Sequence, residues 1–483
     1  MTADVAIIGA GPAALAAADV LAPYSLRLVL VDEQISPGGQ IYRQPPRELA
    51  TGDWRPEKIY SKGRALIARV SGHKGFEWKL GTTALGIVEN HGRESSAISG
   101  RYSVLLEAPD GAERLSADLV LLATGCYDMP MTFPGASLPG VMAAGGIQIF
   151  IKTRQIVPGH RFVFFGTHPL QLIVADQVIR AGGDVVEVIF PQTHSQLLRA
   201  CVSPGLLAGP FGNLTYFAGV LARLVSKGVR IRFGETVVRA LGKAQLEAVA
   251  IAQVNSPDGP DSRVVREIPC DRLGVCLGFL AATELARQVG ARPRWCGAGG
   301  GWVICHDEWM QTDRAGIFVA GEVTGIGGAD MALQQGRLAA LGMLRARGLL
   351  DEGRASSAAS RIRRRLRRLE RFARVLRRVS DPTTLHSEAC PPPDSILCKC
   401  EDITVGEFLE FLRANPAVTT AKSAKLGCRV GMGLCQGRYC HYAVTRLMGR
   451  ILARPESAIG PFTAQWPVKP VRIATLIKAQ WDD

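Results

Sequence analysis

Short apolar runs bounded by glycine turns alternate with helical patterns along the first two thirds of the chain. Asp4–Gly9 (DVAIIG) is the first such run, and an alanine-rich helical pattern follows it through Leu21. Leu26–Val31 is the second, closed by Asp32-Glu33; Leu119–Leu122 predicts a further strand that runs into Ala123-Thr124-Gly125. Arg161–Phe165 opens another strand–helix–strand pattern, with a helix to Ala181 and a strand over Asp184–Phe190. Leu273–Gly278 and Gly316–Gly321 read as later strands. Continuous rather than alternating apolar strands, separated by helices, predict parallel sheets covered on both faces and an α/β fold. Further on, Ile362, Leu366, Leu369, Phe372, Leu376 and Val379 recur at three- and four-residue steps, which predicts one amphipathic helix over 361–379. A last helical pattern covers Thr404–Ala414.

Composition narrows this picture. The 483 residues leave room for about three domains. With 47% apolar and 21% charged residues, disorder is excluded as a global description. No run of apolar residues is long enough to span a bilayer. The first strand begins by Val5, too early for a signal peptide, so a cytoplasmic location is expected, with peripheral contact at the inner face of the membrane left open. Of the net charge of +14, +9 lies in residues 361–379, where ten arginines face Glu370; +5 is spread over everything else. The excess is therefore a local helix surface. It fits a solvated or paired linker helix, or a docking surface for an acidic partner protein or anionic lipid. No aromatic-studded groove accompanies it, and nucleic acid is not an expected partner. Residues 380–395, with Pro391-Pro392-Pro393, read as a stiff linker.

The opening segment carries the first chemistry. Strand, Gly9-Ala10-Gly11-Pro12-Ala13-Ala14, helix, strand and acid form a βαβ dinucleotide fingerprint, with Ala14 in place of the third glycine. Bare backbone can approach a pyrophosphate there, and a helix N-terminus meets its charge. Asp32, with Glu33 as the alternative, is expected to accept hydrogen bonds from ribose hydroxyls. Pro37-Gly38-Gly39-Gln40, the Thr124-Gly125 turn, and Gly321-Glu322 leading to Gly328-Ala329 complete the set. Together these motifs resemble the two-dinucleotide-domain flavoproteins. The resemblance implies FAD bound by Gly9, Gly11, Ala13, Ala14, Asp32, Glu33, Gly39, Gln40, Thr124, Gly125, Gly321, Glu322, Gly328 and Ala329. Glu322 stands where the family usually has Asp, and a carboxylate there can reach a ribityl hydroxyl.

The second βαβ unit is degenerate. After Gly166, His168 and Gln171 occupy the other two glycine positions of the turn, and side chains there crowd a pyrophosphate. The expectation is a retained fold without a nicotinamide site, with His168 a surface or interface side chain rather than a catalyst. Neither unit carries the close cysteine pair of the flavin disulfide reductases; Cys126, Cys201, Cys270, Cys276, Cys296 and Cys305 are scattered and read as small fillers.

Six of the twelve cysteines crowd into residues 390–440. Cys398-Lys399-Cys400 and Cys435-Gln436-Gly437-Arg438-Tyr439-Cys440 form C-x-C and C-x4-C pairs, able to gather four thiolates around tetrahedral zinc or a [2Fe–2S] cluster. Spacing alone leaves the two open. Gly427, Gly431, Gly433 and Gly437 can turn backbone N–H groups toward sulfur, and Lys399, Arg429 and Arg438 can offset cluster charge. Leu397–Cys440 resembles the bacterioferritin-associated-ferredoxin type of [2Fe–2S] domain, most specifically in Gly431–Cys440. That resemblance implies Cys398, Cys400, Cys435 and Cys440 as ligands, with Cys390 and Cys428 in reserve.

The order of these parts gives the expected domains: 1–145 with 290–350 for FAD, 146–289 a degenerate NAD(P)-like insert, 351–395 the basic helix and linker, 396–455 the [2Fe–2S] domain, and 456–483 a tail. The whole is similar to the flavin/iron–sulfur (alpha) subunits of heteromeric bacterial amine dehydrogenases, the group that includes opine oxidase, hydrogen cyanide synthase and D-hydroxyproline dehydrogenase. That similarity implies an oxidoreductase subunit without a catalytic acid or base of its own. It further implies an amino-acid-oxidase-like flavin partner (a beta subunit), room for a small third subunit, and an electron acceptor of the respiratory chain. The other readings are a stand-alone NAD(P)H-dependent flavin/iron–sulfur reductase and a structural scaffold whose nucleotide never turns over.

Overall fold

The computed structural model describes all residues except 44, 46–60, 91–99, 202–204, 206–210, 255–263, 383–390 and 479–483. Its first sheet uses β1 (Thr2–Ile8), β2 (Leu28–Asp32), β3 (Phe76–Leu80), β4 (Thr83–Glu89), β5 (Tyr102–Ala108) and β6 (Gly111–Leu122), in the order β3-β2-β1-β6-β5-β4. β1, β2 and β3 run parallel, and β1 is also parallel to β6. β5 and β4 add antiparallel strands. The run Val5–Ile8 is buried on both faces, as its unbroken apolar character requires.

From β6 the chain passes through β7 (Cys126–Asp128) and β8 (Val141–Ala143) into a second sheet. With β9 (Arg161–Phe165), β10 (Asp184–Phe190), β11 (Arg230–Phe233) and, later, β15 (Arg272–Val275), the order is β11-β10-β9-β15-β8, all parallel. β8 lies ahead of the expected boundary at 146, because its register with β15 makes it part of the second sheet. β12 (Glu235–Leu241), β13 (Ala248–Gln253) and β14 (Val264–Pro269) form an antiparallel flap between β11 and β15.

β16 (Phe279–Ala281) returns the chain by pairing antiparallel with β7. The hairpin of β17 (Pro293–Trp295) and β18 (Trp302–Ile304) follows, and β19 (Ile317–Val319) then joins β6 in the first sheet. Helix Ala329–Ala346 packs along helix Pro12–Leu21, with Gly336 against the Ala13 backbone, closer than any side chain would allow. Leu15, Leu21, Leu338 and Leu341 are buried in the same core. Large buried aliphatics of this kind each contribute about 1.5–3 kcal/mol, so this interface is a main source of stability.

The arginine-rich helix is longer than its apolar stripe suggests, running Glu352–Val379. Asp351 caps it by accepting the Arg354 N–H at 2.9 Å. Ala355 and Ala359 bury its first half against the FAD-side core, and Leu369 and Ala373 its second. Beyond the linker, Ile396–Cys398 and helices Val405–Ala414, Ala421–Cys428 and His441–Ile451 build a small domain around Phe408, Leu412, Val444, Met448 and Phe462. Thr404, expected to open the first of these helices, is instead its N-cap, paired reciprocally with Glu407. No helix among the described residues is long and apolar enough to cross a membrane.

Candidate functional site

Parallel strands end at a common edge, and there the first dinucleotide turn forms. Gly9 has φ +103° and lies on the Ala123 carbonyl, where a Cβ would collide. Gly11 and Gly39 meet almost backbone to backbone: a Cβ on Gly39 would lie 2.9 Å from the Gly11 Cα, whereas one on Gly11 would meet only the Gly39 Cα, at 3.9 Å. This is a cradle that bare backbone leaves for a ligand. Ala13 and Ala14 are buried on the helix behind it. Asp32 accepts the backbone N–H groups of Ala10 and, at 2.7 Å, Gln34, so the acid braces the turn itself; burial raises its pKa. Glu33 is exposed and paired with Lys469 of the tail. Gln40 is exposed at the rim.

The remaining nucleotide residues converge on the same edge. Thr124 Oγ1 donates to the Ala282 carbonyl at 2.6 Å, and the Gly125 carbonyl accepts the Ala282 N–H at 3.0 Å. The Gly321 N–H donates to the buried Gln335 at 2.9 Å. Glu322 accepts the N–H groups of Gly327 and Gly328 at 2.9 and 2.8 Å. Its carboxylate therefore sits at the positive end of the helix that begins at Ala329. Desolvation raises the Glu322 pKa despite these bonds. Asp128, in β7, is pushed up to about 6 by burial, with the Gly145 N–H as a partner. Cys126 lies in the field of both acids, and burial carries its thiol well up.

The second βαβ turn is closed from within. Gln171 folds back to donate to the Gly166 carbonyl at 2.6 Å. Gln192 donates to the carbonyls of Thr167 at 2.7 Å and of Val379 at 2.8 Å, and Thr167 Oγ1 donates to the Ser380 carbonyl at 2.8 Å. The end of the arginine-rich helix is thus hydrogen-bonded to this turn. Arg377 of the same helix donates to the Ile326 carbonyl at 2.9 Å, tying it also to the first site. His168 packs edge-on against Phe279 at 5.4 Å, an interface position, and burial lowers its pKa to about 4. Arg363 lies over Trp309 at 4.5 Å, whereas Arg361, Arg364, Arg365, Arg371 and Arg374 are exposed. Of the scattered cysteines, Cys270 and Cys276 are buried, Cys126, Cys296 and Cys305 half-buried; the Cys201 side chain lies outside the described residues.

In the C-terminal domain the thiols meet in two pairs. Cys398 and Cys440, both buried, lie within each other's field, as do Cys400 and Cys435 nearer the surface. Bonding to Cys440 is the largest cause that lowers Cys398 to about 6, and the N–H groups of Gly431, Glu401 and Cys400 add to it. The Gly431 N–H lies 3.5 Å from the Cys398 sulfur. Gly433 leaves the space that the Cys400 Cβ occupies. Gly437 packs on Phe462 and Gly427 on Phe411, giving room to neighbouring rings.

Two thiolates on one tetrahedral metal lie about 3.8 Å apart for a metal–sulfur bond near 2.3 Å, so a single ion draws all four together. Among the described residues no three His, Cys, Asp or Glu side chains converge in that way. The donor set, four cysteine thiols on two short loops, suits either a single metal or a cluster. Cys428 bonds the Ala424 carbonyl at 3.2 Å and stands outside the pairs; Cys390 lies outside the described residues.

The expected cationic neighbours are engaged elsewhere: Lys399 donates to the Ala136 carbonyl at 2.8 Å, Arg429 pairs with Glu401 at 2.8 Å, and Arg438 with Glu284 at 3.6 Å. Lys425 takes that place, buried and within the field of Cys440 and Cys435. Its position on an ordinary helix gives no sequence signal.

Residues 3–158 and 217–336 match the family model described as pyridine nucleotide-disulphide oxidoreductase. A subunit of opine oxidase from Rhizobium meliloti is 30% identical, over 98% of this chain and 87% of that one. Hydrogen cyanide synthase subunit HcnB of Pseudomonas protegens is 29% identical, over 98% and 97%. The crystal structure of L-proline dehydrogenase from P. horikoshii shares the fold, with a TM-score of 0.69 at 21% identity, over 99% of this chain and 79% of that one.

Proposed function

The chain belongs to the pyridine nucleotide-disulphide oxidoreductase family, and from that premise we propose that it is the electron-transferring subunit of a heteromeric flavin-dependent dehydrogenase acting on a secondary amine or an amino acid. It is an oxidoreductase of a flavin-holding fold. The names of its full-length relatives, subunits of opine oxidase and of hydrogen cyanide synthase, support a partner subunit. On this reading an amino-acid-oxidase-like partner binds the substrate and oxidises its C–N bond to an imine, which water then hydrolyses. The electrons pass to this chain and on to a respiratory acceptor.

The chain's own part is to bind, orient and insulate. The Gly9–Ala14 turn, Asp32, Gly39, Gln40, Thr124-Gly125 and Gly321–Ala329 are assigned to FAD, and Cys398, Cys400, Cys435 and Cys440 to a [2Fe–2S] cluster. When bound, these groups supply a carrier that handles electron pairs and single electrons, and a one-electron outlet. Glu322 and Asp128 hold buried carboxyls beside the first site, and Lys425 holds a cation beside the second.

The observation that carries the reading is the two thiol pairs, gathered in a domain docked on the edge where the nucleotide turns converge. Replacing Cys435 with Ser is expected to abolish the EPR signal of the reduced cluster while the flavin absorbance stays. An unchanged signal would remove Cys435 from the ligand set.

A further inference from the structure

Two tyrosines join the halves of this site. Tyr127 lies at the centre of β7, two residues beyond Gly125, and Cys126 beside it stands in the field of Glu322. Tyr439 lies in the thiol loop, immediately before Cys440 and within the field of Cys435 and Cys400. Their ring centroids are 5.6 Å apart with planes at 70°, the edge-to-face geometry that the ring quadrupoles favour.

The contact is held from three sides. The Tyr127 hydroxyl donates to Glu284 at 2.9 Å, Arg438 pairs with the same carboxylate at 3.6 Å, and the Arg438 guanidinium lies 5.9 Å from the Tyr127 centroid. Lys399, between the first two cysteines, anchors the other side of the loop on Ala136. A second aromatic contact, Trp295 on Tyr442 at 5.3 Å, joins the small domain to the β17–β18 hairpin.

We propose that the Tyr127–Tyr439 pair is the electron bridge between the dinucleotide site and the thiol site, filling with packed rings the gap that electrons cross. This rests on the cofactor assignment above. In each passage one electron leaves the reduced flavin, one ferric ion becomes ferrous, and the proton given up goes to solvent. Neither ring is oxidised, and no bond is made or broken in them.

The test uses the native assembly and four variants, Tyr127→Leu, Tyr439→Leu, Tyr127→Phe and Tyr439→Phe. Pigment, iron content and the reduced-cluster EPR spectrum are recorded first. Laser-flash reduction of the flavin then times bleaching of the cluster. Tyr439 is 48% exposed, so its truncation leaves the fold intact. The leucine variants are expected to keep flavin, iron, EPR spectrum and midpoint potentials but to slow electron arrival by about tenfold or more, because removing a ring opens the packed gap. The phenylalanine variants keep the ring and are expected to stay near the wild-type rate. Wild-type rates in the fully loaded leucine variants would overturn the bridge, as would phenylalanine variants as slow as the leucine ones. Wild-type protein without flavin or iron would instead overturn the cofactor assignment, and the pigment and iron measurements reveal it before any flash.

Discussion

Gly431 has φ +80°, donates toward the Cys398 sulfur, and leaves room for the Phe462 ring, which a Cβ would meet at 2.7 Å. Gly431→Ala is therefore expected to cost about 1–3 kcal/mol and to lower the iron content, as seen by thermal unfolding and iron analysis. A melting point and iron content equal to wild type would contradict the packing described. At this scale the four cysteines were legible because C-x-C and C-x4-C spacings are rare outside metal and redox sites. Lys425 and Phe462 were not, since a lysine on a helix and a phenylalanine in a tail look like any others until packing brings them beside sulfur. Glu322 was legible as a carboxylate beside a helix start, but its bonds to the Gly327 and Gly328 N–H groups were not.

The helix Glu352–Val379 changes meaning between sequence and structure. Its apolar stripe from Ile362 onward was readable at helical spacing, whereas its first turns bury only alanines, Ala355 and Ala359, which leave no stripe. Its far end, through the carbonyls of Val379 and Ser380, satisfies the second dinucleotide turn. The loss of glycines at His168 and Gln171 was readable; the contact of the helix end with this turn was not, because residues 167 and 380 meet only in three dimensions. Rapid mixing with excess NADPH is accordingly expected to leave the flavin oxidised. Fast bleaching would mean that the helix end yields its place, and would favour a reductase fed by pyridine nucleotide.

For the molecule as a whole, the parallel strands of the two large sheets followed from the runs of buried strand and their glycine turns. The docking of the small domain did not, because Tyr127–Tyr439 and Arg438–Glu284 join segments more than a hundred residues apart. Burial lowers His441, in that interface, from an ordinary 6.5 to about 4, and His168 likewise. Between those values the unfolded chain binds protons that the folded chain refuses, so these groups make stability fall as pH drops from about 6.5 toward 4. Asp128, raised to about 6, acts oppositely: the folded state keeps a proton that the unfolded state releases, adding stability as pH falls through that window. In His441→Gln the decline of melting temperature between pH 7 and pH 5 is expected to be shallower than in wild type. Parallel curves would show that His441 is not held neutral by burial.

The central claim is that one chain holds a flavin at its first dinucleotide turn and a binuclear iron centre at its paired thiols. Anaerobic isolation in the native assembly, followed by flavin, iron and acid-labile sulfide analysis with EPR of the reduced protein, tests it most directly. The account predicts FAD together with iron and sulfide in equal amounts and the low-temperature EPR signal of a reduced [2Fe–2S] centre. Zinc in place of iron, or protein without yellow pigment, would contradict it.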